Sequence, residues 1–218
     1  MDYKQRIKEN TEDFVQKELK LAESGHDWWH AQRVRNTALK ISEIEGGDRF
    51  IIEIASLLHD IADAKFNNGN ENIGSEKAFN FLESNHLDTK YIHSTIDIIN
   101  NISFRKNNFP EQINTIEFKI VQDADRLDAL GAIGIARAFS YGGYKKRLFY
   151  DPNISVSNNI SSEQYKNSES PTINHFYEKL LLLKDKMNTE TAKNIAIKRH
   201  NFMKEFLDQF YLEWNCNL

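Results

Sequence analysis

The stretch Leu57-Leu58-His59-Asp60-Ile61-Ala62-Asp63 sets one imidazole and two carboxylates in a run of leucine, isoleucine and alanine. A carboxylate withdrawn from water among such side chains is strongly disfavoured unless it is paired, hydrogen-bonded or bound to a cation. The apolar spacing reaches this stretch from about Arg49 through Ile51, Ile54, Ala55, Leu58 and Ile61, which predicts one helix carrying all of it. Neighbouring residues on a helix diverge by about 100°, so His59 and Asp60 can serve one cation only as adjacent corners of its shell. Further ligands must come from other helices.

Upstream, residues 3 to 23 place Ile7, Phe14, Val15, Leu19 and Leu21 at near-helical spacing, with Ser24-Gly25 as a stop. In Gly25-His26-Asp27-Trp28-Trp29-His30, Asp27 suits the N-cap of a helix with His30, Val34, Ala38 and Ile41 along one face, and Gly46-Gly47-Asp48 ends it and caps the next. Downstream, Asn67-Asn68-Gly69-Asn70 is a loop, and Ser75 to Glu83 and Lys90 to Asn101 are two further helices. After Pro110, Ile113 to Leu130 is an apolar helix holding Gln122-Asp123-Ala124-Asp125-Arg126-Leu127-Asp128. Small residues continue from Gly131 to Ala136, allowing close approach of another helix in the core or in a dimer, and end at Tyr141-Gly142-Gly143.

The polar stretch from about 151 to 171 predicts a mobile surface loop. The C-terminal part, 172 to 215, offers a helix around His175 to Leu183, a turn at Asn188-Thr189 with either residue as N-cap, and a long amphipathic helix to about Trp214. No run alternating apolar and polar residues is long enough for a strand, and no repeat stands out. The expectation is an all-α bundle, one domain over residues 1–218, with the metal-binding core at about 25–130.

With 28 basic against 32 acidic residues and a net charge of -4, the chain lacks the basic excess that a nucleic-acid polymer would require. The single cysteine, Cys216, allows no disulfide within the chain and suits a reducing compartment. The N-terminal residues contain no apolar core of signal-peptide length, and no segment approaches the roughly 20 apolar residues of a membrane span. A cytoplasmic monomer or homodimer is expected.

His30, His59 and Asp60, joined by an acid from the helix around 123–128, would give two nitrogens and two carboxylate oxygens. Without thiolate, that set suits one divalent ion such as Mn²⁺, Mg²⁺ or Fe²⁺, with positions left for water and substrate. Periodicity leaves the fourth ligand open: Asp125 shares a face with Phe118, Val121 and Ala129, and Asp123 one with Ile116, Ile120 and Leu127. His93 reads first as a core histidine and only then as a fifth ligand. His26 and Asp27 suit a helix cap that orients His30. Trp28 and Trp29 suit packing against neighbouring helices rather than stacking on a base.

His30 with Arg33-Val34, the pair His59-Asp60, and Ala124-Asp125-Arg126-Leu127 resemble the HD-domain phosphohydrolase superfamily, in the order H, HD, D. Gly25 to His30, His59 to Asp63, Gln122 to Ala129 and Tyr141-Gly142-Gly143 further resemble its small stand-alone bacterial branch, some members of which are nucleoside triphosphate pyrophosphohydrolases. The resemblance spans roughly 20 to 215 and is specific for the superfamily rather than for substrate. It implies that the acid before Arg-Leu, Asp125, is the ligand. It also implies hydrolysis of a small phosphorylated metabolite, a nucleotide above all, at a phosphoanhydride or phosphomonoester by metal-activated water. Asp63, three residues after Asp60, is the candidate base, and related hydrolases that split pyrophosphate from nucleotides carry an acid there. Lys65 and Arg33 are candidates for binding substrate phosphate. Lys145, Lys146 and Arg147 could add a second anion contact. The alternative is a non-catalytic nucleotide-binding or regulatory module with a structural metal. Cyclic-nucleotide and alarmone hydrolases share the chemistry but usually carry added domains.

Overall fold

The computed structural model describes residues 2–20, 25–62, 72–102, 113–157 and 170–217. All its regular elements are helical: α1 (Tyr3–Glu18), α2 (Trp28–Glu45), α3 (Arg49–Leu58), α4 (Ile73–Ser84), α5 (Thr89–Asn101), α6 (Ile116–Asp128), α7 (Gly131–Tyr144), α8 (Thr172–Glu178), a 3₁₀ helix (Leu180–Lys186) and α9 (Glu190–Trp214). Two compact units divide the chain, Met1–Asp125 and Arg126–Leu218.

In the first unit α3 is the centre. Every residue from Phe50 to Leu58 is buried, and α1, α2 and α5 pack around it. A helix apolar on all sides has no solvent face to spend on charge, yet α3 carries Glu53. Two cations answer it: Lys8 Nζ lies 2.5 Å from Oε2 and the Arg35 guanidinium grips Oε1, while Arg35 also reaches Glu12 at 2.9 Å. Burial alone would raise the Glu53 pKa, but the bonds from Lys8 and Arg35 outweigh it and hold the carboxyl below its usual range.

Caps set the helix starts. Asp27 Oδ1 accepts from the His30 N–H at 2.9 Å, and Asp48 Oδ1 accepts from the Phe50 N–H at 2.8 Å, so both predicted caps form. Between α2 and α3, Gly46 and Gly47 take φ of 84° and 90°, open to glycine without strain. The turn is fastened to the start of α6, because the Asp48 N–H donates to Glu117 Oε1 at 2.9 Å and a Cβ on Gly47 would sit 3.2 Å from the Ile116 side chain.

Several boundaries differ from the sequence expectation, among them those of α6, which runs from Ile116 to Asp128 rather than from Ile113 to Leu130. α1 ends at Glu18, short of residue 23. α3 ends at Leu58, so His59 and Asp60 leave the helix as its C-cap and the following turn; the apolar pattern runs on through Ile61, but Ile61 belongs to the core without being helical. α7 is a separate helix rather than a continuation of α6, since Leu130 is extended and Gly131 has φ of 72°. The segment around His175 to Leu183 divides into α8 and the 3₁₀ helix.

In the second unit Thr189 caps α9, its hydroxyl accepting from the Ala192 N–H at 3.2 Å. The small-residue stripe of α7 (Gly131, Gly134, Ala138, Gly142) is buried, and α7 packs against α9 and α8. Phe139, Phe176 and Phe206 cluster with ring centroids 5.9 to 6.1 Å apart. The Arg199 guanidinium donates to the Leu127 carbonyl in the last turn of α6, and Arg137 pairs with buried Asp128 at 2.7 Å.

Removing one cation from a buried carboxylate leaves its charge under-compensated. Arg35→Met is expected to destabilise the fold by about 3 kcal/mol, measured by urea unfolding at pH 7. Because the Glu53 pKa is depressed in the folded chain, its contribution is present above the usual 4.5 and fades as pH falls below it; the gap between wild type and variant should close in acid.

Candidate metal centre

Three elements of the first unit bring imidazoles and carboxylates together. His30 sits in the first turn of α2, where the Asp27 cap holds its backbone, and it is 1% exposed. His59 closes α3. The last carbonyls of a helix have no intrahelical donor, and His59 Nδ1 lies 2.7 Å from one of them, that of Ser56. With Nδ1–H donating there, Nε2 turns inward and stands 3.2 Å from His30 Nε2. Asp125, in the last turns of α6, places Oδ1 3.5 Å from His30 Nε2 and 3.7 Å from His59 Nε2. Asp60 adds a carboxylate oxygen, so that one ligand atom each from His30, His59 and Asp60 lies within 4.8 Å of the others. His26 stands behind, its Nε2 3.8 Å from Asp60 Oδ2 and its ring edge-on to His30.

These donors fit a hard divalent cation. Ligand atoms about 2.1 Å from an ion on adjacent octahedral corners lie roughly 3 Å apart, close to the 3.2 to 3.7 Å among the two Nε2 atoms and Asp125 Oδ1. Two Nε2 atoms facing each other cannot both present a hydrogen; a cation satisfies both lone pairs at once. The Ser56 carbonyl, which fixes the tautomer of His59, is a contact the sequence reading missed. Its signal was present: the carbonyl three residues before a histidine that ends a helix.

Of the other sequence candidates, Asp123 is fully buried, whereas the Asp125 side chain is 37% exposed and faces the imidazoles. Arg33 is half-buried on α2 one turn beyond His30. Asp63 and Lys65 lie outside the described residues. His93 is exposed on α5 and is not a core residue, because its turn of the helix faces away from buried Ile92 and Thr95. Trp28 packs on the core of this unit, while Trp29 is 65% exposed.

Burial alone would favour neutral His59, but the Asp125 carboxylate, helped by Asp60 and the Ser56 carbonyl, overrides it and holds the imidazole pKa up to about 9.

The HD domain family model matches residues 28–130, the interval from the start of α2 to just past α6. The uncharacterized protein YpgQ of Bacillus subtilis is 39% identical over 202 residues, covering 92% of this chain and 90% of YpgQ. The chain belongs to the HD-domain phosphohydrolase superfamily. A crystal structure of an HD-superfamily hydrolase from Bacillus thuringiensis is 48% identical, with a TM-score of 0.76 and coverage of 97% of this chain and 98% of that one. Bacillus subtilis YpgQ in complex with ADP superposes with a TM-score of 0.76 at 34% identity, covering 97% of both chains. The all-α HD hydrolase fold is thus shared along nearly the whole chain. No described helix is long and apolar enough to cross a membrane.

A divalent ion needs the unprotonated imidazole, and His59 is held protonated to about pH 9 in the metal-free chain. Mn²⁺ binding at pH 7.5 should therefore release about one proton per ion, read by titration calorimetry in buffers of different ionisation enthalpy, and affinity should rise with pH up to about 9. In the metal-free chain the His59–Asp125 pair stabilises the fold fully below the ordinary histidine value of 6.5 and is lost as pH rises through about 9.

Proposed function

We propose that this HD-domain protein is a metal-dependent phosphohydrolase of a small phosphorylated metabolite, a nucleotide, and that residues 1–218 act as one hydrolase domain in the cytoplasm. The observation that carries the reading is the convergence of His30 Nε2, His59 Nε2 and Asp125 Oδ1 within 3.7 Å, beside the Asp60 carboxylate. A nucleotide is favoured because ADP is bound by the Bacillus subtilis relative YpgQ.

His30, His59, Asp60 and Asp125 would hold one Mn²⁺, Mg²⁺ or Fe²⁺. When bound, such an ion supplies Lewis acidity toward a phosphoryl oxygen and lowers the pKa of water. Asp63 then takes the proton of the attacking water, whose oxygen bonds to phosphorus as the bond to the leaving oxygen breaks. Lys65 and Arg33 hold the phosphate charge during that step. With a triphosphate, attack at the α-phosphorus releases pyrophosphate and matches the nucleoside triphosphate pyrophosphohydrolase reading; with a monophosphate it releases orthophosphate. A helical module that holds a nucleotide around a structural metal without turning it over accounts equally for a relative with ADP bound, and it predicts binding with no product.

Purified protein incubated with Mn²⁺ and a panel of nucleoside mono-, di- and triphosphates should release pyrophosphate or orthophosphate, resolved by anion-exchange chromatography; absence of product with Mn²⁺, Mg²⁺ and Fe²⁺ alike would leave the binding module. Asp60→Ala should lose the metal, measured by elemental analysis after dialysis. Asp63→Ala should keep it and lose turnover by about 100-fold or more, and equal metal loss in both variants would remove Asp63 from the base role.

A further inference from the structure

Three of the four side chains that converge on the metal centre are held by contacts already described. His30 is carried by the capped first turn of α2, His59 is held by the Ser56 carbonyl, and Asp125 faces both imidazoles from α6. Asp60 differs. It lies past the end of α3 in a turn, so no helix fixes its backbone, and its side chain is 30% exposed. Among the described residues no hydrogen bond reaches its carboxylate, and one ion-pair contact does, from His26 Nε2 to Oδ2 at 3.8 Å.

The residues on either side of His26 put it there. Gly25 takes φ of 119°, open to glycine without strain, and Asp27, the cap of α2, follows His26 directly. The chain therefore turns into α2 at His26, whose ring lies edge-on to that of His30, with centroids 5.9 Å apart and planes at 89°. A carboxylate oxygen can only accept, so the nitrogen facing Oδ2 is the one that bears a hydrogen. An N–H dipole on that side favours the Asp60 rotamer in which Oδ2 points to His26. With the carboxylate so turned, one of its oxygens stays within 4.8 Å of the ligand atoms of His30 and His59.

We propose that His26 is a positioning residue of the metal centre, holding the Asp60 carboxylate toward the ion that His30, His59, Asp60 and Asp125 would bind. The proposal rests on that metal reading and adds to it a residue outside the ligand set. Groups that orient a metal ligand from behind set affinity by about ten- to a hundredfold.

Titration calorimetry of the full chain with Mn²⁺ at pH 7.5 tests it. His26→Ala should weaken Mn²⁺ binding by about tenfold or more, and His26→Gln, which keeps an N–H donor on a side chain of similar reach, should restore most of the affinity. His93→Ala, which removes an exposed histidine from α5, should leave binding unchanged. Electron spin resonance at saturating Mn²⁺ reads the geometry apart from the affinity. The spectrum of His26→Ala should depart from that of the wild type, because Asp60 is free to turn, and that of His26→Gln should return to it. Wild-type affinity or a wild-type spectrum in His26→Ala, equal weakening by His93→Ala, or no recovery in His26→Gln would each overturn the role. Affinities ordered as expected in a chain that turns over no nucleotide would sink the hydrolase and keep the role of His26. Turnover by a wild-type chain whose His26→Ala variant binds Mn²⁺ equally well would do the reverse, and a wild-type chain that binds none of Mn²⁺, Mg²⁺ and Fe²⁺ would sink both.

Discussion

Two imidazole nitrogens held 3.2 Å apart, with a carboxylate oxygen 3.5 and 3.7 Å from them, form a contact that only a proton or a cation can stabilise, and the surrounding unit is arranged to enforce it. His30 cannot withdraw, because its backbone is the capped first turn of α2. His59 cannot rotate away without leaving the Ser56 carbonyl. Behind it stands α3, buried along its length, whose single acid is neutralised by side chains from α1 and α2. The helix with the least freedom to move thus carries the adjacent His-Asp pair, which is how a loop-like turn can hold ligand geometry.

Much of this was legible from residue order. Asp27 and Asp48 announced themselves as caps through their type and position before apolar runs, and His30, His59, Asp60 and an acid near 125 stood out as polar groups on apolar faces. The end of α3 was not legible, because Ile61 continues the helical pattern while serving the core from a bend. Nor could periodicity choose between Asp123 and Asp125, since both lie on apolar faces. The difference is tertiary: one face of α6 is sealed and the other looks toward the imidazoles. The exposure of His93 follows likewise from how α5 is turned, which spacing alone left undetermined.

The second unit shows another limit of reading along the chain. Lys145, Lys146 and Arg147 are one basic run in sequence, yet the fold separates them: Lys145 and Lys146 are exposed, while Arg147 is half-buried and linked through backbone hydrogen bonds of its neighbours to the start of α8. Its charge reaches His175, which lies on α8, far along the sequence from that run.

The bond from the Asp48 N–H to Glu117 has a mechanical meaning. α2 and α3 run in opposite senses from the Gly46-Gly47 turn, so His30 and His59 lie at their far ends, and α6 starts at that turn and carries Asp125 about 12 Å further along. The three helices are thus held together at the glycine turn and meet again where His30, His59 and Asp125 converge. A side chain at Gly47, where φ is 90°, would press on Ile52 and Ile116 at 3.1 and 3.2 Å, so the close approach of α3 and α6 at this turn depends on a residue with no Cβ.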